Sequence, residues 1–501
     1  MRRDRCRCDG EHSRMIDFIS GPGFSRRQFF RVAGTGLTGY YFTRVSRPID
    51  VLAQSKVQTA GTAMNCIFIF LSGAPPHVDL FDYKDDADVE RPSAAGGQPL
   101  NLRPETYNGV RMPRTLLPNM SDLLGDILIM RSVQAKALAH PLAQVWTVIG
   151  RSPTGALGSV SPNIGAVVAL EMEPRRKPTD VLPGFVALNS TGLTGSGYFS
   201  SKYGPFHVVP AVGGLAELNH PDGQTQFNNM WQLIQSLDSP LRIDSPLGKS
   251  VEDMGDLYNS ALLLIGSPEV KKAFQFTVEE VQRYEPPQGA ASGGRYGTNS
   301  SFAGACLVAR NLLVANKGTR FITITLPGWD MHSDIYSGTA SLLSLAPTFD
   351  YGLGGLIRDL KSTLSPERPG KTLLDDTLIV VVGEFGRTPE VNDQGGRDHF
   401  LRQFCVLAGG GVAGDKIIGQ TDKTGNKATD FGWQAGRDIR IEDIFALIYS
   451  ALGIDYTTVR FDDPIGRGFE YVPMAKDGVY EPVTEVFVPQ PPRASRRRRV
   501  I

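Results

Sequence analysis

The sequence is poor in cysteine, with five in 501 residues, which argues against a fold held together by disulfides. Cys6 and Cys8 lie in an N-terminal segment that we expect to be removed. The remaining three, Cys66, Cys306 and Cys405, each lie in an apolar run, where a free thiol usually serves as a small core residue. A hydrophobic core therefore has to hold this fold.

Long apolar runs and an excess of charge of one sign are also missing. No uninterrupted apolar stretch approaches the roughly 20 residues that cross a bilayer, so we expect no transmembrane span. Of 52 basic and 52 acidic residues, 10 and 5 fall in residues 1–53, which leaves 42 and 47 in the rest and a net charge of −5 there. A mildly acidic body has no basic footprint for nucleic acid, and we expect no such partner.

Two common catalytic loops are absent. The segment GGGVAGDK supplies the glycines of a phosphate-binding P-loop, but Asp415 stands where that motif needs lysine. There is also no G-x-S-x-G turn of the kind that carries the nucleophile in serine hydrolases. These absences argue against a P-loop nucleotide enzyme and against a serine hydrolase.

An arginine pair precedes a weakly apolar stretch near the start of the chain. The sequence SRRQFFR runs from Ser25 to Arg31, and the small residues Val51 and Ala53 suit a cleavage site. This pattern resembles a signal read by the twin-arginine translocation machinery; the alternative is an ordinary basic amphipathic N-terminus. We expect residues 1–53 to be an export signal and the protein to reach the periplasm or cell envelope.

The body of the chain alternates short apolar runs with segments of helical period. This alternation predicts an α/β fold, a doubly wound α/β/α sandwich around a mostly parallel sheet. We expect one domain over residues 54–487, in which the Gly-, Ser-, Pro- and Asn-rich stretch 189–300 is an insertion or cap, and a Pro- and Arg-rich tail over 488–501. The predicted strands are 66–71, 127–130, 184–188, 320–326, 377–382 and 404–409, and the predicted helices include 119–127, 303–318, 348–364 and 441–454.

Side chains able to do chemistry follow the ends of several predicted strands. Asp330 and His332 come after the run RFITITL, and Glu384 comes after TLIVVV. The link to the next strand is too short for a crossover helix, so that strand is expected to return antiparallel, with Asp398 and His399 beside Glu384. Imidazole and carboxylate together suit zinc, manganese or iron, whereas carboxylate alone suits magnesium or calcium. The five residues are candidate ligands of one or two divalent metals. The alternative is a set of salt bridges and loop hydrogen bonds, such as Arg397 with Glu384 or His399 with a backbone carbonyl, and Arg387 is a further candidate partner of Glu384.

Several motifs around these residues resemble one family, called domain of unknown function 1501. The resemblance covers roughly residues 25–455, in order. That family is related to the alkaline phosphatase and sulfatase superfamily, whose members hydrolyse phosphate or sulfate esters with one or two metals. The resemblance therefore implies an alkaline-phosphatase-like fold. The motifs are SRRQFF, FLSGAPPHVDLFDYK, RTLLPNMSDLLGDILIMRS, RYGTNSSFAGACLVARNLL, GWDMHSD, GEFGRTP, GRDHF and AGGGVAGDKIIGQTD.

The sequence departs from the superfamily pattern at three places. Ser72 or Gly73 stands where related enzymes have a metal-binding aspartate, and His140 stands where they have the nucleophile. Glu384-Phe385-Gly386 replaces their Asp-His-Gly, and the formylglycine motif C-x-P-S-R is absent. The resemblance therefore implies a remodelled active site.

Two hypotheses about function follow. The first is an exported metal-dependent hydrolase of phosphate or sulfate esters, acting on a small-molecule or carbohydrate ester. In it His140 serves as nucleophile or general acid, and His77 or Asp79, which follow the strand CIFIFL, serves acid–base chemistry. The second is a non-catalytic binding or scaffolding protein of the cell envelope on the same fold.

Overall fold

A computed structural model describes most of the chain beyond the predicted export signal. The signal, residues 1–53, lies outside the described residues, and so does most of the predicted tail 488–501. The described residues are 57–91, 100–190, 193, 195–215, 222–242, 262, 264–265, 267–287, 302–337 and 341–489.

The described chain contains both strands and helices. The strands are β1 Asn65–Ser72, β2 Pro104–Tyr107, β3 Val110–Pro113, β4 Ile127–Gln134, β5 Phe185–Leu188, β6 Phe206–Val208, β7 Phe321–Pro327, β8 Thr377–Gly383, β9 Gly386–Arg387, β10 His399–Phe400, β11 Arg402–Ala408, β12 Lys416–Ile418, β13 Gln420–Thr421, β14 Ala428–Asp430, β15 Val459–Arg460 and β16 Phe469–Glu470. The α-helices are α1 Pro118–Asp122, α2 His140–Ile149, α3 Ile164–Met172, α4 Gly223–Arg242, α5 Pro268–Ala273, α6 Val278–Arg283, α7 Phe302–Ala315, α8 Leu342–Ser362, α9 Leu373–Asp376 and α10 Ile441–Ala451.

Eight strands form the central sheet, in the order β12-β4-β11-β8-β1-β7-β5-β6. The pairs β1–β7, β1–β8, β5–β6, β5–β7 and β4–β12 are parallel. Strand β11 runs antiparallel to both of its neighbours, β4 and β8. The mostly parallel sheet and its antiparallel return strand are thus both as the sequence predicts.

The sheet has a hydrophobic core on each face. Along β1, Ile67 and Ile69 pack into one core, whereas Phe68 and Phe70 pack into the other. Helices α7 and α8 cover the first face, and α3 and α10 cover the second. This burial on both faces explains why the strands are continuous apolar runs rather than alternating ones, and it confirms the doubly wound α/β/α sandwich.

Other features extend this picture. The thiols of Cys66, Cys306 and Cys405 are free and buried, and burial raises their pKa. No helix in the described part of the chain is long and apolar enough to cross a bilayer. The stretch 189–300, predicted as an insertion, is described in part, and its strand β6 pairs with β5 at the edge of the main sheet.

Candidate metal centre

Four side chains converge at the carboxyl edge of the sheet. They are His140, Asp330, His332 and His399, and one nitrogen or oxygen atom of each lies within 4.8 Å of the others. His140 begins α2, Asp330 and His332 lie on the loop after β7, and His399 begins β10.

The loop after β7 is held against the end of β1. The Trp329 side chain is fully buried and lies edge-on to Phe349, with ring centroids 6.3 Å apart. Gly73 has a φ of +110°, and a Cβ there would lie 2.4 Å from the Asp330 nitrogen. Only glycine permits so close an approach, and the approach fixes where Asp330 projects.

A short hairpin brings His399 to the same place. Strand β9 begins two residues after Glu384, and its Arg387 pairs with His399 of β10 in antiparallel register. Strand β11 then re-enters the sheet beside β8. This return is the geometry that the sequence predicts for Asp398 and His399.

The outer ring nitrogen of each histidine is already bonded to an acceptor. Nδ1 of His140 lies 2.7 Å from Glu384 Oε1, and Nδ1 of His332 lies 3.1 Å from Asp398 Oδ1. Nδ1 of His399 donates to the carbonyl oxygen of Leu138. Because these oxygens accept hydrogen bonds, each Nδ1 carries a proton and each Nε2 is the atom left to bind a metal.

The inner atoms lie close enough together for one cation to contact all of them. Nε2 of His332 lies 2.9 Å from Nε2 of His399 and 3.2 Å from Asp330 Oδ1. Nε2 of His140 lies 3.0 Å from the same Asp330 oxygen. With every Nδ1 protonated, the His332–His399 contact brings two lone pairs together, which is unfavourable unless positive charge lies between them. Three imidazole nitrogens and one carboxylate oxygen therefore fit a divalent metal such as zinc or manganese.

One permanent cation already borders this cluster. The Arg387 side chain is fully buried, and it donates to Asp330 Oδ1 at 2.6 Å and to His332 Nε2 at 3.1 Å. The sequence suggested a pair with Glu384, whereas the salt bridge goes to Asp330. Burial raises the pKa of Asp330, but the Arg387 hydrogen bond and the neighbouring charges outweigh it, so the pKa stays below its usual value. Burial and then the charge of Arg387 lower the pKa of His399.

Glu384 lies behind His140 rather than among the converging atoms. Its side chain is wholly buried, and Oε1 accepts from the Gly73 nitrogen at 2.9 Å and from Gln144 Nε2 at 3.1 Å. Its Oε2 has no hydrogen-bond partner. Burial lowers the pKa of His140, but the hydrogen bond and charge of Glu384 outweigh it and leave that pKa raised.

The structure thus sorts the residues that the sequence put forward as ligands. Asp330, His332 and His399 lie among the converging atoms, whereas Glu384 and Asp398 contact the outer nitrogens of histidines. His140, predicted to act in catalysis, joins the converging atoms.

Gln144, which the sequence did not single out, donates to both Glu384 Oε1 and Ser72 Oγ. Its position four residues after His140 on α2 was the available signal, since residues at that spacing share a helix face.

His77 and Asp79 lie in a buried 3₁₀ helix, His77–Asp79, and are not part of this cluster. Asp79 accepts from Arg91 at 2.8 Å, Arg397 at 2.9 Å and Tyr336 at 2.8 Å. The ring of His77 stacks on Phe400. Their catalytic roles stay a prediction, but these contacts are those of residues that anchor loops.

A family model described as protein of unknown function (DUF1501) matches residues 63–478. The chain belongs to the DUF1501 family. Among curated proteins, none matches this DUF1501 chain.

Three solved structures align with this DUF1501 protein at low identity. A protein in the alkaline phosphatase superfamily from Vibrio parahaemolyticus has 12% identity and a TM-score of 0.32, with 79% of this chain and 67% of that chain covered. Phosphonate monoester hydrolase from Silicibacter pomeroyi has 12% identity and a TM-score of 0.33, with 78% and 73% covered. The protein Ps i-CgsB, solved with k-i-k-neocarrahexaose, has 13% identity and a TM-score of 0.36, with 84% and 79% covered.

Proposed function

We propose that this protein is an exported, metal-dependent hydrolase of phosphate or sulfate esters. The observation that carries the proposal is the convergence of three histidine Nε2 atoms and one aspartate oxygen, each histidine being held by an acceptor on its other nitrogen. Histidines that only stabilise loops do not need all three inner nitrogens aimed at one point. A small-molecule or carbohydrate ester is the substrate class that we propose. Export is supported by the SRRQFFR segment.

The residues that would hold the metal are His140, Asp330, His332 and His399. A divalent ion bound there would supply Lewis-acid chemistry to an ester oxygen and to water. Glu384 and Asp398 fix the tautomers of His140 and His332, so that each presents a lone pair rather than a proton.

The cluster is open on one side. About half of the Asp330 side chain is exposed, as is 41% of that of His332, so an ester in solution can reach it. His140, which stands where the resemblance places the nucleophile, is one of the four residues that would hold the metal. Water is therefore the nucleophile that we propose, in place of the side-chain nucleophile that the superfamily resemblance would imply.

Elemental analysis of the purified protein tests the proposal. We expect about one zinc or manganese ion per chain in the wild type and none in the Asp330→Ala, His399→Ala double variant, because two of four ligands are lost. Asp334→Asn is the matched control, since Asp334 is exposed on the same loop and lies outside the cluster. A panel of phosphate and sulfate esters then tests hydrolysis. A wild type that stays empty after incubation with both metals would overturn the proposal and favour the scaffolding hypothesis.

A further inference from the structure

Arg387 has an acceptor for every one of its N–H groups. Nε donates to Ala74 O at 3.0 Å, and one N–H of the second nitrogen, Nη1, donates to Arg397 O at 3.1 Å. The third nitrogen, Nη2, donates to Gly73 O and to Asp330 Oδ1, and it also lies 3.4 Å from Nε2 of His140. The last N–H, also on Nη1, donates to His332 Nε2 at 3.1 Å. The guanidinium is therefore saturated while no metal is bound.

Metal binding has to break one of these bonds. The Nε2 atom of His332 has a single lone pair, because its Nδ1 is occupied by Asp398. A metal ion that binds this lone pair displaces the Nη1–H donor of Arg387. The side chain is fully buried, and a buried N–H without an acceptor costs about 1–3 kcal/mol. The displaced donor consequently needs a new acceptor at the cluster.

We propose that this acceptor is an oxygen of the anionic group of the substrate, so that Arg387 becomes an anion-binding residue only once a metal has bound. The inference rests on the proposed function, because it needs a metal at His332. The Arg387 guanidinium is then a second positive group at the site, beside the metal ion. A guanidinium suits the oxygens of phosphate and sulfate. The four remaining bonds of Arg387, to three carbonyl oxygens and Asp330, keep the donor in place for binding.

A purely structural Arg387 would behave differently. If its role were only to tie the Gly73, Ala74 and Arg397 carbonyls together, its replacement would change anion binding equally with and without metal. In our proposal the effect appears only with metal, because the donor is otherwise occupied by His332.

The test is titration of inorganic phosphate by calorimetry, at about pH 8 so that histidines are largely neutral. Wild type, Arg387→Lys and a control, Arg320→Lys, are each compared in chelator-treated and manganese-loaded form. Arg320 precedes β7, at the opposite end of that strand from the cluster. With manganese, we expect Arg387→Lys to bind phosphate about 10-fold or more weakly than wild type, the loss of one charge-assisted hydrogen bond. Without metal, the two should agree within about twofold, because the donor is saturated.

A second variant keeps the test independent of how well Arg387→Lys folds. His332→Ala removes the acceptor and frees the same N–H without any metal. We expect metal-free His332→Ala to bind phosphate about tenfold more tightly than metal-free wild type, although the substitution adds no positive charge. Equal or weaker binding by this variant would overturn the inference, as would wild-type affinity in manganese-loaded Arg387→Lys.

These results separate the two proposals. If manganese does not bind wild type, the proposed function fails and the metal-dependent role of Arg387 fails with it, whatever the metal-free His332→Ala variant binds. If manganese binds and Arg387→Lys matches wild type for phosphate, the metal site stands and the role of Arg387 falls.

Discussion

Nδ1 of His140 lies 2.7 Å from Oε1 of Glu384, a carboxylate that is completely buried at the end of β8. This contact joins the first residue of α2 to the middle of the sheet, and it decides which nitrogen of His140 faces the cluster. A carboxylate on the outer nitrogen also makes the imidazole a stronger metal ligand. Glu384 therefore acts on the cluster through His140.

The outer carboxylates should tune metal affinity without abolishing it. We expect Glu384→Gln and Asp398→Asn each to weaken manganese binding about 10- to 100-fold, because the amides keep the size but lose the charge that orients the histidines. Competition with a chelator of known affinity measures this. Asp393→Asn, an exposed residue of the same loop, is the control and should bind as wild type. If both Glu384→Gln and Asp398→Asn matched wild type, the outer contacts would have no part in holding a metal.

Much of the fold could be predicted because apolar runs report burial directly. The runs that became β1, β7 and β8 lie within one or two residues of their predicted bounds. The antiparallel return of β11 followed from the short link after Glu384, and that return predicted where His399 lies. These features depend on the backbone and on hydrophobic burial, both of which leave a clear pattern in a sequence.

Which residues lie among the converging atoms, and which lie behind a histidine, could not be predicted in the same way. Whether a carboxylate lies among converging atoms or behind a histidine depends on a few ångströms of side-chain position. Asp330 and Glu384 follow strands β7 and β8, which flank β1 in the sheet, and they look alike in sequence, yet only Asp330 lies among the converging atoms. The place of Arg387 was missed for a similar reason, since its partners include three main-chain carbonyls, and sequence patterns do not reveal such contacts.

Asp79 should matter for stability. Its carboxylate and the guanidinium of Arg397 are both wholly buried and lie 2.9 Å apart. Removing one partner leaves an unpaired buried charge, so we expect Asp79→Ala to lower the free energy of unfolding by about 3–5 kcal/mol. Asp88→Ala removes an exposed ion pair to Lys423 and should cost less than about 1 kcal/mol. Chemical denaturation measures both. An Asp79→Ala protein as stable as wild type but unable to hydrolyse esters would instead support the catalytic role predicted from the sequence.

Two glycines near the cluster should not tolerate a side chain. A Cβ at Gly386 would lie 1.8 Å from the carbonyl oxygen of Arg402, and one at Gly396 would lie 2.0 Å from the carbonyl carbon of His332. A new Cβ at either position would force backbone atoms to move, which costs free energy. We therefore expect Gly386→Ala and Gly396→Ala each to destabilise the fold by about 3 kcal/mol or more. Gly125→Ala meets nothing within 4 Å, and it should stay within about 1 kcal/mol of wild type.

The thermal unfolding midpoint of each glycine variant is measured and compared with that of the wild type. We also expect Gly396→Ala to weaken manganese binding, because the backbone shift falls on a ligand residue. Wild-type midpoints for Gly386→Ala and Gly396→Ala would contradict the close approaches at both positions.

His77 should make the protein sensitive to mild acid. Burial lowers the pKa of its imidazole to about 4, whereas an unfolded chain titrates near 6.5. Above about pH 6.5 His77 is neutral in both the folded and the unfolded state, and its contribution to the free energy of unfolding is fully present. Between about pH 6.5 and 4 only the unfolded state binds the proton, so the free energy of unfolding decreases as the pH falls. The loss by about pH 4.5 is on the order of 2–3 kcal/mol.

His77→Gln isolates this contribution from that of other titrating groups. Nε2 of His77 contacts the carbonyl oxygen of Gly425 at 3.0 Å, and the glutamine amide can make the same hydrogen bond without taking up a proton. Chemical denaturation at about pH 7 and 4.5 should show wild type losing about 2–3 kcal/mol more than His77→Gln over that interval. Equal losses in the two proteins would mean that the folded protein binds the proton as readily as the unfolded chain. That result would contradict the burial of the His77 ring against Phe400 and Gly425.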